Sequence, residues 1–464
     1  MHEELEQVIV DRNKQAEYDA IPVITYPELK AVFDKWMLVI DPGIIKFIAC
    51  VIIANSKLNS DPVWAFLTAA SGGGKTALMD CLLKVPEYYS LSQMTPNTLL
   101  SGYKSKDKEP SLLLQLKWGT TIGFKDFTSI LDGNKDAYKE IMGQFRDMYD
   151  GHMVKRLGTG DEIPWKGKIG FLAGSTPMLE QRMSMIGAMG ERFMSYRIKQ
   201  PKNKDLKAKI RANVGKERQM KEEIQIAMAG YIKGIEFPEE LPILPEKIDN
   251  LVDAMADFIA LSRSVVMRSF DSKREIEYIP PSEMSTRVYK QLYNIALTLY
   301  VMNENDWHDE DNYVIKNLAV SSVHSLRYNL IREIQKYTTK VKTTTLAITL
   351  GYPTTTTRRY LEDLTAISMD DGAIKILTRT HQGVGKADLW ELTPAMISML
   401  KDMGDYIEPH KQDDEFDQDE KDVPVGATGN GHAEVEQDRG KELDDITAGM
   451  SEEEQRQAGL LPPF

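Results

Sequence analysis

Cysteine is nearly absent. Two residues among 464, Cys50 and Cys81, both sit in apolar stretches, which excludes a disulfide framework and a cysteine metal site and predicts buried thiols in a reducing compartment. No run is long enough to span a bilayer: the most apolar, GIIKFIACVIIA at 43–54, is short and interrupted by Lys46. The opening residues, MHEELEQVIVDRNK, lack the charge pattern of a signal peptide, so a cytoplasmic protein with no membrane partner is expected. A net basic charge is missing as well. The formal charge is −13, yet residues 405–464 hold 18 Asp/Glu against 5 Lys/Arg, leaving 52 of each in residues 1–404. A neutral body does not exclude nucleic acid as a partner. No internal repeat is visible.

What is present begins with FLTAASGGGKTALMD at 66–80. An apolar run suited to a strand buried on both faces precedes a glycine loop, and a helical pattern follows it. A phosphate cradle needs backbone N–H groups before a helix, a lysine for the outer phosphates and a hydroxyl for Mg²⁺. Ser71, Gly72, Gly73, Gly74, Lys75 and Thr76 supply these, although Ala69 stands where the pattern G-x-x-x-x-G-K-[ST] opens on glycine. A nucleotide-hydrolysing site also needs an acid at the end of a neighbouring strand, and IGFKDF offers Asp126. The next position, where a glutamate would activate water, is Phe127. Glu140, Glu87 or a residue of a neighbouring subunit is left to serve as base.

Further segments complete the organisation. WGTTIGFKDF and GKIGFLAGSTP read as two more parallel central strands, with the helix KDAYKEIMGQFRDMYDG and the hairpin HMVKRLGTGDEIPW between them. The expected fold is α/β: a parallel-sheet nucleotide-binding core at 61–201 after an N-terminal helical segment at 1–60. A helical module follows at 202–330. At 331–404 three short helices and a two-stranded wing follow the order of a winged helix-turn-helix. Residues 405–464, acidic and poor in large apolar residues, are expected to be disordered until bound.

This order of motifs resembles that of AAA+ ATPases, and within them the minichromosome-maintenance and viral replicative helicase branch. The resemblance spans roughly residues 40–400 and implies an ATP-binding P-loop core with ATP and Mg²⁺ as cofactors, a helical lid and a ring, a hexamer being favoured. It assigns Thr176 in GSTP as the polar sensor, Arg192 in GERF as the arginine finger and Arg287 in STRVYKQL as the lid arginine. Thr176 beside Asp126 could hydrogen-bond the attacking water, or be a turn hydroxyl before Pro177. Arg192, close to Arg197, could stabilise transition-state charge across a subunit boundary or form a structural ion pair, for example with Glu191.

Lys155 and Arg156 in the hairpin, with Lys166 and Lys168, are candidates for contact with single-stranded DNA in a pore. In PTTTTRRYLEDL, the expected recognition helix, Thr356, Arg358 and Arg359 suit phosphate and base-edge contacts, although 331–400 counts only 9 basic against 7 acidic residues and a protein-binding module fits too. The terminal LLPPF on an acidic arm is similar to the tips of bacterial single-strand-binding proteins, which implies docking to a replication partner; a solubilising tail is the alternative. The expected function is an ATP-dependent DNA motor, helicase-like or a loader, of a phage or mobile element. Its rivals are a small-molecule kinase and an ATP-sensing DNA-binding regulator, kept open by Phe127.

Overall fold

Five short strands form the central sheet of the computed structural model, which describes residues 15–102, 109, 111–131, 135–182, 192–269, 274–383 and 387–412. Among the described residues a short helical segment at 15–19 and two longer helices precede the sheet. α1 (Tyr26–Trp36) starts on a capping box in which the Thr25 N–H donates to Glu28 at 2.7 Å. α2 (Ile44–Lys57) is apolar all round and accordingly buried from Ile44 to Asn55. Lys46, the charge that interrupts it, reaches buried Asp311 at 2.8 Å. The apolar run is thus a core helix whose one buried charge is paired, to Asp311 and more distantly to Glu310 at 3.8 Å.

The strands are β1 (Trp64–Thr68), β2 (Tyr88–Leu91), β3 (Thr121–Phe124), β6 (Gly170–Ser175) and β7 (Met194–Arg197), in the order β2-β3-β6-β1-β7. All neighbours are parallel, with Thr68 opposite Ser175 and Phe124 opposite Ala173. Parallel pairing requires crossovers, and these place helices on the sheet. α3 (Lys75–Asp80) follows β1. α4 (Lys135–Tyr149) follows β3 and leads into an antiparallel hairpin, β4 (His152–Arg156) with β5 (Glu162–Lys166). One face of the sheet carries an aromatic core in which Phe66 stacks on Phe193 at 4.2 Å and packs edge-on against Phe127 at 4.8 Å.

A helical array covers the other side: α5 (Glu217–Gly234), α6 (Glu246–Ser262), α7 (Thr286–Met302) and α8 (Asp309–Ser321), with a short two-stranded piece, β8 (Met267–Arg268) and β9 (Ile276–Tyr278), between α6 and α7. α5 packs on α1, α7 on α2 and α6, and α8 on β7. Three helices then follow, α9 (Ser325–Ile334), α10 (Thr343–Leu350) and α11 (Thr354–Ala366). Gly351 at φ 70° ends α10 and Pro353 caps α11. Strands β10 (Leu377–Thr380) and β11 (Leu389–Leu392) pair antiparallel, with Val341–Lys342 on the far side of β11. Trp390 anchors this small sheet, its Nε1 donating to Thr343 Oγ1 at 2.8 Å.

The described residues belong to one compact unit. The segments expected as 1–60, 202–330 and 331–404 pack directly on one another, because the apolar faces of α1, α2 and α8 are completed only by neighbours distant in sequence. Among the described residues no helix is long and apolar enough to cross a membrane. Cys50 and Cys81 are free and buried, and burial pushes both thiols up.

Lys168, expected with the basic residues of the hairpin, is buried instead. Its ammonium caps the last turn of α2 by donating to Leu58 O at 2.6 Å and Ala54 O at 3.2 Å. Burial lowers its pKa to about 8, against the opposing pull of Asp61. The folded chain therefore releases this proton before the unfolded chain does. The contribution of Lys168 to stability should rise between pH 8 and the ordinary lysine value, read as the difference in unfolding free energy between the native chain and Lys168→Met.

Candidate nucleotide site and basic elements

The loop between β1 and α3 opens at the carboxyl edge of the sheet. Ala69 continues β1, its N–H donating to Ser175 O at 3.3 Å, so this position is a strand extension that alanine adopts without strain. Glycine is required further on: Gly72 and Gly74 have φ of 75° and 82°. At Gly73 a Cβ would lie 2.7 Å from Gln200 Oε1 and 2.9 Å from Ala70 O. The loop is therefore shaped by backbone conformation at two glycines and by close approach at the third.

Lys75 heads α3 and folds over the loop, its ammonium donating to Ala69 O at 2.6 Å and Ala70 O at 3.0 Å. Burial lowers its pKa, and the charge of Asp126 opposes that shift. The two groups therefore feel one another across the carboxyl edge. Asp126 lies two residues beyond β3 and is held by the Thr128 N–H, which donates to its Oδ1 at 3.0 Å. Lys125 reaches back to Asp80 at the end of α3 at 3.0 Å, joining the two loops. Between β1 and β3 runs β6, whose Ser175 Oγ is 2.8 Å from Thr68 Oγ1, with half-buried Thr176 next in the chain. Because β6 sits in the middle, Thr176 emerges between the lysine and the aspartate. Ser71 on the loop and Thr76 in the first turn of α3 are exposed.

The position after Asp126, where an acid was expected, is closed to solvent. Phe127 is fully buried among Phe66, Phe124, Phe145 and Phe193, while its N–H donates to Gly174 O at 2.8 Å. Glu87 cannot substitute within this chain. It precedes β2, and its carbonyl accepts from the Thr121 N–H at 2.7 Å, which puts it at the amino edge of the sheet, four residues of strand away from the site. Glu140 is exposed on α4, accepting from Gln144 at 3.3 Å.

Arg192 and Arg287 also lie at the amino edge. Arg192 is ion-paired to Asp150 at 3.1 Å and lies over the Tyr149 ring, with its carbonyl held by Gln291 of α7 at 2.7 Å. The ion pair expected as the alternative reading of this arginine is present, with Asp150 as partner. Arg287, at the start of α7, is 3.5 Å from Glu283 and close enough to Tyr149 to act on its hydroxyl, as Arg192 does. Neither faces the chain's own loop; both belong to one surface on the other end of the sheet.

Arg197 has a role that its place in GERFMSYRI did not reveal. At the end of β7 it pairs with Glu180 at 2.8 Å and donates to Val320 O and Val323 O at 2.9 and 2.7 Å. Glu180, four residues after Thr176, also accepts from Ser325 Oγ at 2.6 Å. Burial alone would raise the Glu180 carboxyl, but Arg197 and Ser325 outweigh it and hold it low. Adjacent His324, kept neutral by burial, meets Tyr360 of α11 at 3.0 Å. A polar chain thus runs from the loop after β6 to α9 and α11.

The basic candidates divide. Lys155 donates to Asn97 Oδ1 at 2.7 Å, Leu100 O at 3.0 Å and Pro96 O at 3.3 Å, so its charge fastens the hairpin to the 96–100 segment instead of facing solvent. Arg156 is 78% exposed, with Glu162 no nearer than 4.0 Å. On α11, Thr356 is half-buried, while Arg358 and Arg359 face a cavity. Glu191, and the tail from 413 onward with its LLPPF end, lie outside the described residues. Among the described residues no group of His, Cys, Asp and Glu could hold a metal ion by itself.

No family model matches this chain, and no curated protein sequence matches it.

Proposed function

We propose that the chain is an ATP-driven DNA motor of the AAA+ class, similar to the hairpin-bearing replicative helicases or a loader of them. The observation that carries the reading is the convergence of Lys75, Thr76, Asp126 and Thr176 at one edge of a parallel sheet with β6 between β1 and β3. Lys75 would leave the carbonyls of Ala69 and Ala70 for the outer phosphates of ATP, a charged partner in place of neutral ones. Thr76 and Asp126 would hold Mg²⁺, which when bound neutralises charge on the phosphate oxygens. Thr176 is disposed to orient a water by its hydroxyl. The winged-helix reading of 331–404 is supported by the order α9, α10, α11, β10, β11.

Arg192 and Arg287 share the amino edge, so their arginine-finger and lid roles require a neighbouring subunit's loop. The proposal therefore carries a homo-oligomeric ring, with a hexamer favoured. A second reading, an ATP-sensing DNA-binding regulator, is favoured by one observation: Phe127 fills the base position with a buried ring.

One measurement separates them. ATP turnover stimulated by single-stranded DNA, with a ring-sized particle by light scattering in ATP and Mg²⁺, is expected for the motor. ATP binding without turnover selects the regulator, and absence of ATP binding ends both.

The hairpin provides a further check. Arg156→Ala should weaken single-stranded DNA binding and lower the slope of log K against log salt by about 0.7, the share of one phosphate contact. Lys155→Ala should instead lower the melting temperature, since it removes three hydrogen bonds within the chain.

A further inference from the structure

A cavity of about 470 Å³ between α11 and the β8–β9 pair is lined by five arginines: Arg268, Arg274, Arg358, Arg359 and Arg379. They come from three places in the fold, namely the β8–β9 pair, one face of α11 and strand β10. Glu275 and Glu362 are the carboxylates of the lining, and Thr355 and Thr365 add hydroxyls. Arg268 is locked in place by Asp363 at 2.8 Å and Glu362 at 3.1 Å and donates to Arg359 O at 2.9 Å. Arg379 is locked by Asp388 at 2.6 Å. These pairs orient two of the five guanidinium groups, and with Asp363 and Asp388 behind the wall added to Glu275 and Glu362 in it, guanidinium groups exceed carboxylates by five to four.

The same wall changes what α11 can recognise. A helix that reads a duplex must enter the major groove with one face bare. Here the face carrying Thr355, Arg358, Arg359 and Glu362 looks into the cavity, and of Thr354–Ala366 only Thr355 is exposed. The hollow has the size of a small-molecule site. Converging guanidinium groups repel one another and suit a compact anion with several acceptor oxygens, which they grip bidentately.

We propose that this cavity binds a nucleotide-sized phosphate group, supplied either by a free nucleotide or by the phosphorylated end of a nucleic-acid strand. A phosphomonoester brings close to two negative charges and three acceptor oxygens to a wall on which the Arg268 and Arg379 guanidinium groups are held in place by their carboxylates. The site stands apart from the loop at 69–76, and neither reading depends on the other.

The test uses the full chain without Mg²⁺ and a 3′-labelled oligothymidylate carrying either a 5′-phosphate or a 5′-hydroxyl, with AMP as competitor because it lacks the outer phosphates that Lys75 would hold. The expected result is binding of the phosphorylated strand at least about tenfold tighter, or binding of AMP, with either effect lost in Arg359→Ala and partly restored in Arg359→Lys. Arg274→Ala, on the opposite wall, should reproduce the loss if the first variant fails to fold. Competition by AMP identifies a free nucleotide as the source; preference for the phosphorylated strand without AMP binding identifies a strand end. Equal affinity for both strands together with no AMP binding, or a preference that survives both variants, overturns the proposal. Loss of ATP turnover in Lys75→Ala leaves it standing, so the two readings fail separately.

Discussion

Lys75→Ala should weaken ATP binding by about ten- to a hundredfold and abolish turnover, read by titration with a fluorescent ATP analogue and by phosphate release. The size follows from removing one charge-assisted contact, roughly 1.5–3 kcal/mol. The variant should still fold, because the lysine's present partners are two loop carbonyls at the sheet edge, which water can satisfy. Asp126→Asn provides the complementary result: binding largely kept, turnover lowered by about two to three orders of magnitude, as when one preorganised electrostatic group is removed. Unchanged ATP affinity in Lys75→Ala would remove the nucleotide reading of the loop.

Phe127→Glu, the substitution that restores the customary acid after Asp126, should destabilise the chain by about 4 kcal/mol or more and yield no gain in hydrolysis. The ring has no exposure and packs against four other phenylalanines, so a carboxylate there would be buried without a partner. Phe127→Leu should cost much less, since it keeps the site apolar. Chemical denaturation of the three proteins, with ATP turnover measured alongside, reads both effects. A stable and more active Phe127→Glu chain would mean that residue 127 reaches the site and that the aromatic packing is not its role.

Much of the sheet was legible because β1, β3 and β6 are apolar runs ending in polar residues, the pattern of strands buried on both faces. The edge strands β2 and β7 were not. YYSL and MSYR carry no such pattern, and they are strands because β3 and β1 offer them open edges. Lys46, which interrupts an apolar run, is paired to Asp311, and Lys168, grouped with the basic residues of the hairpin, caps α2, both through partners more than a hundred residues away. The β8–β9 pair left no recognisable mark in the sequence, and with it the cavity on α11 was hidden.

The glycine loop between strand and helix, the lysine after it, the aspartate after the third apolar run and the place of the hairpin are legible in the residues alone, because they depend on local conformation and short spacing. Which candidates lie at one edge follows from the packed sheet and not from residue order. Strand order sets which residues share an edge, so Asp126 and Thr176 join Lys75, while Glu87, Arg192 and Arg287 fall at the opposite end. Partner choice decides whether a charge is available, and it turned Lys155 into a fastener and Arg197 into a strut. Neither property is local, which is why no reading of residues in order could have supplied it.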